Sequence, residues 1–143
     1  MLYTELTNKA MKIAYEAHKD QYDKGGVPYI FHPYHLAEQL DEEHEICVAL
    51  LHDVVEDTEL TLDDIKAAGF PEDVVEAVLL LTRTKDVDYM DYVRKIKTNA
   101  IAKKVKLLDL AHNSDPSRLV KGKPKSESLM EKYAKAKAIL LEE

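Results

Sequence analysis

Residues 46 to 55 read Ile-Cys-Val-Ala-Leu-Leu-His-Asp-Val-Val, an apolar helical run that carries one histidine and one aspartate side by side. A run this apolar turns inward, and His52 and Asp53 go inward with it. A carboxylate without a partner in a low-dielectric interior neutralises rather than stays charged. The doublet therefore needs compensation: a buried His–Asp hydrogen bond or, more simply for an imidazole and a carboxylate aimed the same way, a divalent cation.

The rest of the chain is punctuated as helices. Leu6, Ala10, Ile13, Ala14, Ala17 and Gln21 follow helical spacing, with Thr4 or Thr7 as N-cap. Asp23 to Pro28, with paired glycines and a proline, reads as a loop. Pro33 suits the first turn of a short helix ending near Leu40. The doublet helix is expected from Glu42 to Glu56. Thr61 caps residues 62 to 68, Gly69 stops them, and Pro71 opens a helix to Leu81. Asp88 and Asn99 cap helices over 89–97 and 100–113, and Gly122 and Pro124 precede a last helix over 126–141. No period-2 strand or internal repeat interrupts the pattern. The fold class predicted is all-α, one compact multi-helix bundle, with residues 1–143 as a single domain.

Composition narrows the function. At 143 residues, 45% hydrophobic and 33% charged, the chain can bury a core without disulfide staples. Its single cysteine, Cys47, lies in the apolar run and excludes an internal disulfide, which suits a reducing cytoplasm. No stretch reaches the roughly twenty apolar residues of a membrane span, and Met1-Leu2-Tyr3-Thr4-Glu5 does not resemble a signal peptide. The net charge is −7 and uneven: residues 1–98 carry ten Lys/Arg against twenty-one Asp/Glu, and residues 99–143 ten against six. An acidic body argues against nucleic-acid binding. The basic last third is either a solvated helix face or a source of cations for a phosphorylated ligand.

Three remote segments carry the chemistry. Beyond the doublet, Glu56 and Asp57 fall four residues after His52 and Asp53, on the same helix face. Acidic residues in the last turn of a helix oppose its macrodipole, so they are either a solvated helix end or answer to a nearby cation. The stretch Gly26-Val27-Pro28-Tyr29-Ile30-Phe31-His32-Pro33 delivers His32 to a helix start, as a packing residue or a ligand, with His35 three residues on. In Val105-Lys106-Leu107-Leu108-Asp109-Leu110-Ala111-His112-Asn113, Asp109 interrupts an apolar helix whose inner stripe is expected to be Ile101, Val105, Leu108 and His112. Asp109 pairs there with a lysine or joins the site, and Asn113 shares its side. His32, His52, Asp53 and Asp109 together form a thiolate-free N/O set suited to Mn²⁺, Fe²⁺ or Zn²⁺ with positions left open. Glu56 and Asp57 would then orient or deprotonate an attacking water.

His52-Asp53 with the later Asp109 resembles the signature of the HD superfamily of metal-dependent phosphohydrolases. Ala17-His18-Lys19-Asp20-Gln21, residues 26–33, His52-Asp53-Val54-Val55-Glu56-Asp57-Thr58 and residues 106–113 are similar, in order, to the hydrolase domain of the Rel/Spo stringent-response enzymes and their stand-alone small alarmone hydrolases. The resemblance covers about residues 3–120. It implies Mn²⁺ on His32, His52, Asp53 and Asp109, catalytic water served by Glu56 and Asp57, substrate contacts from Lys24 and Asn113, and removal of the 3′-pyrophosphate of (p)ppGpp. Nothing resembles that family's synthetase domain, so hydrolysis without synthesis is expected. The implied partner is a small nucleotide, with no nucleic acid or membrane; the oligomeric state stays open. Two positions depart from the pattern. The family's usual Arg-Lys pair reads Asp23-Lys24, exchanging a planar cation for a negative charge. After Asn113, the first basic residue is Arg118, and a role for Arg118, Arg83 or Lys85 in substrate contact stays open. The alternatives are the same chemistry on another nucleotide, or a nucleotide-binding sensor without turnover.

Overall fold

A computed structural model describes all 143 residues. Nine helical segments follow one another: α1 Glu5–His18, α2 Phe31–Glu38, α3 Glu43–Leu51, α4 Val54–Asp57, α5 Leu62–Ala67, α6 Glu72–Leu81, α7 Tyr89–Lys97, α8 Ala100–Asn113 and α9 Glu127–Leu141. Extended pairing is confined to two isolated bridges, Tyr22 with Pro28 and Val120 with Lys123. The all-α reading holds. No helix is long and apolar enough to cross a membrane.

The helix starts follow from their capping chemistry. Thr4 accepts from the Thr7 N–H while the Thr7 side chain reaches back to the Thr4 N–H, and Thr61 and Asp64 reproduce the same reciprocal pair. Asp88, Asn99 and Ser126 cap α7, α8 and α9 with their side chains. Gly69 ends the α5 segment at φ +90°, a backbone region open to glycine.

The helix α3 is the hub. It packs against α1, α2, α6 and α8, and each residue from Ile46 to Leu51 is 1% exposed or less. A helix apolar on every side must be covered on every side. Burying Ile46, Val48, Leu50 and Leu51 contributes roughly 6–12 kcal/mol before chain entropy is counted, at about 1.5–3 kcal/mol per side chain. The same burial pushes the Cys47 thiol up to about 12, seconded by Glu43, so it stays an inert core group. One core cluster runs from Ala10 to Leu140.

Two expectations need correction. The doublet helix does not run through to Glu56: it stops at Leu51 and restarts at Val54, with Asp53 at φ −106°, ψ −1° between the two segments. The His52 ring turns back onto its own helix, Nδ1 to the Ala49 carbonyl at 2.6 Å, and the bend re-aims Asp53. The inner stripe of α8 is also displaced: Ala102, Val105, Lys106, Asp109 and Leu110 are buried, whereas Ile101, Leu108 and His112 are only partly so. Lys106 turns inward because Asp109 is there to meet it.

Candidate metal centre

Helices α2, α3 and α8 pack against one another pairwise, and their junction collects the polar residues of three remote segments. His32 comes from the first turn of α2, His52 and Asp53 from the break after α3, and Asp109 from the third turn of α8. One ligating atom from each of His32, His52 and Asp109 lies within 4.8 Å of the others, and all three residues are buried. Asp53 Oδ2 lies 2.9 Å from His52 Nε2, so the fourth expected residue adjoins the set through His52, while its carboxylate also groups with those of Glu56 and Asp57. Asp109 Oδ1 is 2.8 Å from His32 Nε2 and 3.5 Å from His52 Nε2.

His52 shows what this cluster is fitted to. A carbonyl only accepts, so the Ala49 contact places the proton on Nδ1 and leaves Nε2 with its lone pair. That nitrogen is buried and makes no hydrogen bond. The Asp53 and Asp109 oxygens are close to it but off its axis. A bare nitrogen crowded by two carboxylates is answered by a positive charge, a proton or a metal ion. Burial opposes charge on His52, yet Asp53 and Asp109 raise its pKa well above the ordinary imidazole value, so a proton and a metal compete for this nitrogen. Asp109, despite its burial, is held ionised far below the usual range by Lys106 and the two histidines. Two nitrogens and two carboxylates without sulfur are the donor set of a divalent cation.

Glu56 and Asp57 stand beside this set. Their carboxylates and that of Asp53 lie within 4.8 Å of one another. The Glu56 Oε1 accepts from the Arg83 backbone N–H at 2.6 Å. Asp57 is pushed up to about 6, first by burial and then by Asp53 and Glu56. Ionising it therefore costs the fold: the penalty is absent below its unfolded value of 3.8, grows as pH rises, and is complete above about 6. Asp57→Asn should accordingly stabilise the metal-free protein near neutral pH by about 1 kcal/mol, a figure discounted for the exposure of the side chain. Urea denaturation at pH 7.5 and at pH 4 checks this; an equal gain at both would contradict it.

A cavity of about 220 Å³ opens on the cluster, walled by Tyr29, Glu56, Asp57, Tyr89, Lys106, Asn113, Lys132 and Tyr133 among others. It shares Tyr29, Asn113 and Tyr133 with a neighbouring pocket of about 280 Å³ that contains Lys24, Arg118 and Lys125. Lys24 and Asn113 thus line one pocket next to the cluster. The largest cavity, about 620 Å³, lies on the other side of His32 and is lined by Phe31, Tyr34 and His35; the titratable cluster marks the smaller one as the site of chemistry. His35 belongs to the larger cavity and bonds Glu38, so it takes no part in the metal set. Arg83 stacks on Tyr89, and neither it nor Lys85 lines the cavity at the cluster or its neighbour.

Several residues escaped the sequence reading. Lys106 bonds Asp109 Oδ2 at 3.0 Å and lies over Tyr92; the i, i+3 spacing was its signal. The Tyr29 hydroxyl donates to Asp53 Oδ2. Gln21 donates to the Asp57 carbonyl at 2.9 Å, which turns its Oε1 to His18 Nδ1 at 2.8 Å and ties the end of α1 to α4. Lys132 comes from α9 and lies 4.1 Å over the Tyr89 ring. His112 has its pKa lowered to about 4 by burial and then by Arg118, which leaves it neutral. Asp23 does not face the pocket as a free charge. Its Oδ1 accepts from the Gly25 and Val27 N–H groups and its Oδ2 from Arg118 at 3.4 Å. A guanidinium stands near that position after all, supplied by a later segment.

A family model described as HD domain matches residues 10–131. A guanosine-3′,5′-bis(diphosphate) 3′-pyrophosphohydrolase of Aquifex aeolicus (strain VF5) is 36% identical over 122 residues, which make up 79% of this chain and 17% of that protein. A GTP pyrophosphokinase rsh of Brucella melitensis biotype 1 is 34% identical over 123 residues, 76% of this chain and 16% of that one. The chain thus spans about a sixth of the length of these curated relatives. A solved structure of a metazoan ortholog of SpoT that hydrolyzes ppGpp superposes with a TM-score of 0.77 at 25% identity, covering 99% of this chain and 89% of that one.

Proposed function

This chain belongs to the HD-domain family, and from that premise we propose that it is a metal-dependent phosphohydrolase that removes the 3′-pyrophosphate of guanosine tetra- and pentaphosphate. The observation that carries the reading is the convergence of His32, His52, Asp53 and Asp109, from three remote segments, beside the acidic pair Glu56 and Asp57. The pyrophosphohydrolase from Aquifex and the ppGpp-hydrolysing SpoT ortholog support the substrate. We assign residues 1–143 to one HD unit, supported by the single core cluster.

His32, His52, Asp53 and Asp109 would hold the ion, Mn²⁺ in this proposal. A divalent cation in such a site supplies charge neutralisation at a phosphoryl oxygen and a lowered pKa for water. The protein does the rest. Lys106 and the Tyr29 hydroxyl fix the two carboxylates in place. Glu56 and Asp57 orient the attacking water and take its proton, and an Asp57 pKa near 6 leaves that group ionised yet basic at neutral pH. Lys24 and Asn113, in the adjoining pocket, hold the nucleotide, and Lys132, in the lining of the cavity at the cluster, offers a cation to its phosphates. Cytoplasmic placement belongs to the same proposal.

A second reading, the same chemistry on a different nucleotide, is favoured by one observation: Asp23 stands at the pocket edge and engages Arg118. A panel of nucleotides incubated with the Mn²⁺-loaded protein, with products read by chromatography, separates the two. Conversion of ppGpp to GDP and pyrophosphate faster than any other compound supports the proposal. Preference for a non-guanine nucleotide supports the second reading, and absence of turnover throughout refutes both.

A further inference from the structure

The far side of His32 carries an arrangement that the proposed reaction has not used. His32 Nδ1, the nitrogen turned away from Asp109, lies 2.7 Å from Nδ1 of His112. The two ring planes are 8° apart with centroids 5.0 Å apart. A face-on stack cannot bring two ring nitrogens to 2.7 Å, so the rings meet edge to edge, nitrogen facing nitrogen. A contact this short between two nitrogens requires one proton between them, and the chemistry of the neighbours says whose it is. Arg118 Nη1 approaches the same His112 Nδ1 at 3.2 Å and bonds the Asn113 Oδ1 at 2.9 Å. A guanidinium only donates, so His112 Nδ1 is bare and accepts. The proton of that contact therefore sits on His32 Nδ1, and His32 Nε2, which shares a proton with the accepting Asp109 carboxylate at 2.8 Å, is the nitrogen whose proton a metal would replace.

Taking the metal centre as proposed above, we infer that His112 is a positioning residue that locks His32 into its metal-binding tautomer, with Arg118 holding His112 in the accepting form. Metal-bound imidazoles commonly give their second N–H to a carboxylate or a backbone carbonyl, and losing that partner costs 10–100-fold in metal affinity. Here the acceptor is another imidazole, kept bare by a guanidinium that also grips Asn113 and Asp23. The lock thus joins the metal cluster to the rim of the pocket that holds Lys24 and Asn113. Its sequence signal was the His112-Asn113 step, one turn beyond Asp109.

The test compares Mn²⁺ binding by the metal-free full chain, His112→Asn and His112→Leu, read from the paramagnetic resonance signal of free Mn²⁺. Asparagine places a side-chain oxygen where the accepting nitrogen was; leucine places nothing. Binding is expected to weaken 10–100-fold in His112→Leu and to stay within about threefold of the parent in His112→Asn. Equal affinity for all three would overturn the lock, and so would equal losses in both variants, which would indicate packing alone. A parent chain that binds no Mn²⁺ would refute the metal reading instead. A second measurement on the unsubstituted protein needs no metal and no variant: nitrogen-15 resonances should show His112 protonated at Nε2 only, with a coupling across the hydrogen bond to His32 Nδ1. A proton resident on His112 Nδ1 would refute the inference by itself.

Discussion

Asp53→Ala is expected to abolish both divalent-metal binding and hydrolysis. Asp53 and Asp109 are the two carboxylates that face the His52 nitrogen, so losing Asp53 removes half the negative charge there that would balance a divalent ion. It also strands the Tyr29 hydroxyl, which donates to it. A bound ion contributes several kcal/mol at a reacting phosphoryl group, and each 1.36 kcal/mol is tenfold in rate. The expected fall in turnover is therefore at least about a thousandfold, and elemental analysis should find the variant empty. Parent-like hydrolysis by Asp53→Ala would refute the mechanism.

Glu56→Gln is expected to separate the two effects that Asp53→Ala merges. Glutamine keeps an oxygen for the Arg83 N–H that Glu56 accepts at 2.6 Å, so the α4 turn stays anchored. It loses only the negative charge and the capacity to take a proton. Metal content should remain that of the parent while turnover drops by about 10²- to 10⁴-fold, the range of general acid–base assistance. Single-turnover kinetics alongside metal analysis reads both. Loss of metal with loss of turnover would move Glu56 into the ligand set; unchanged turnover would remove it from the reaction.

The fold was legible because its punctuation is local chemistry. Thr61, Asp88 and Asn99 cap the helices expected of them, and caps depend on residues three positions apart. The convergence of His32, His52, Asp53 and Asp109 was legible for a different reason: polar groups in apolar runs have to find one another. What stayed hidden depends on contacts that no short window contains. The break of the doublet helix arises from the His52 ring bonding back to Ala49 while Asp53 turns to Tyr29 and the cluster. The inward turn of Lys106 has a local partner in Asp109, but the two aromatic faces that enclose its ammonium, Tyr89 and Tyr92, come from another helix. Arg118 reaches Asp23 across 95 residues, so a substitution that looks like the loss of a cation in one segment is met by a guanidinium from another. Lys132 approaches only because α9 packs over α7 and α8.

The most direct measurement is the anomalous scattering of crystals grown with Mn²⁺. One strong peak per chain should lie between His32 Nε2, His52 Nε2, Asp53 and Asp109, at the roughly 2.0–2.2 Å separations that nitrogen and oxygen ligands keep from a divalent ion. A peak held instead by the Asp53, Glu56 and Asp57 carboxylates, away from both histidines, would contradict the account, as would no peak at all.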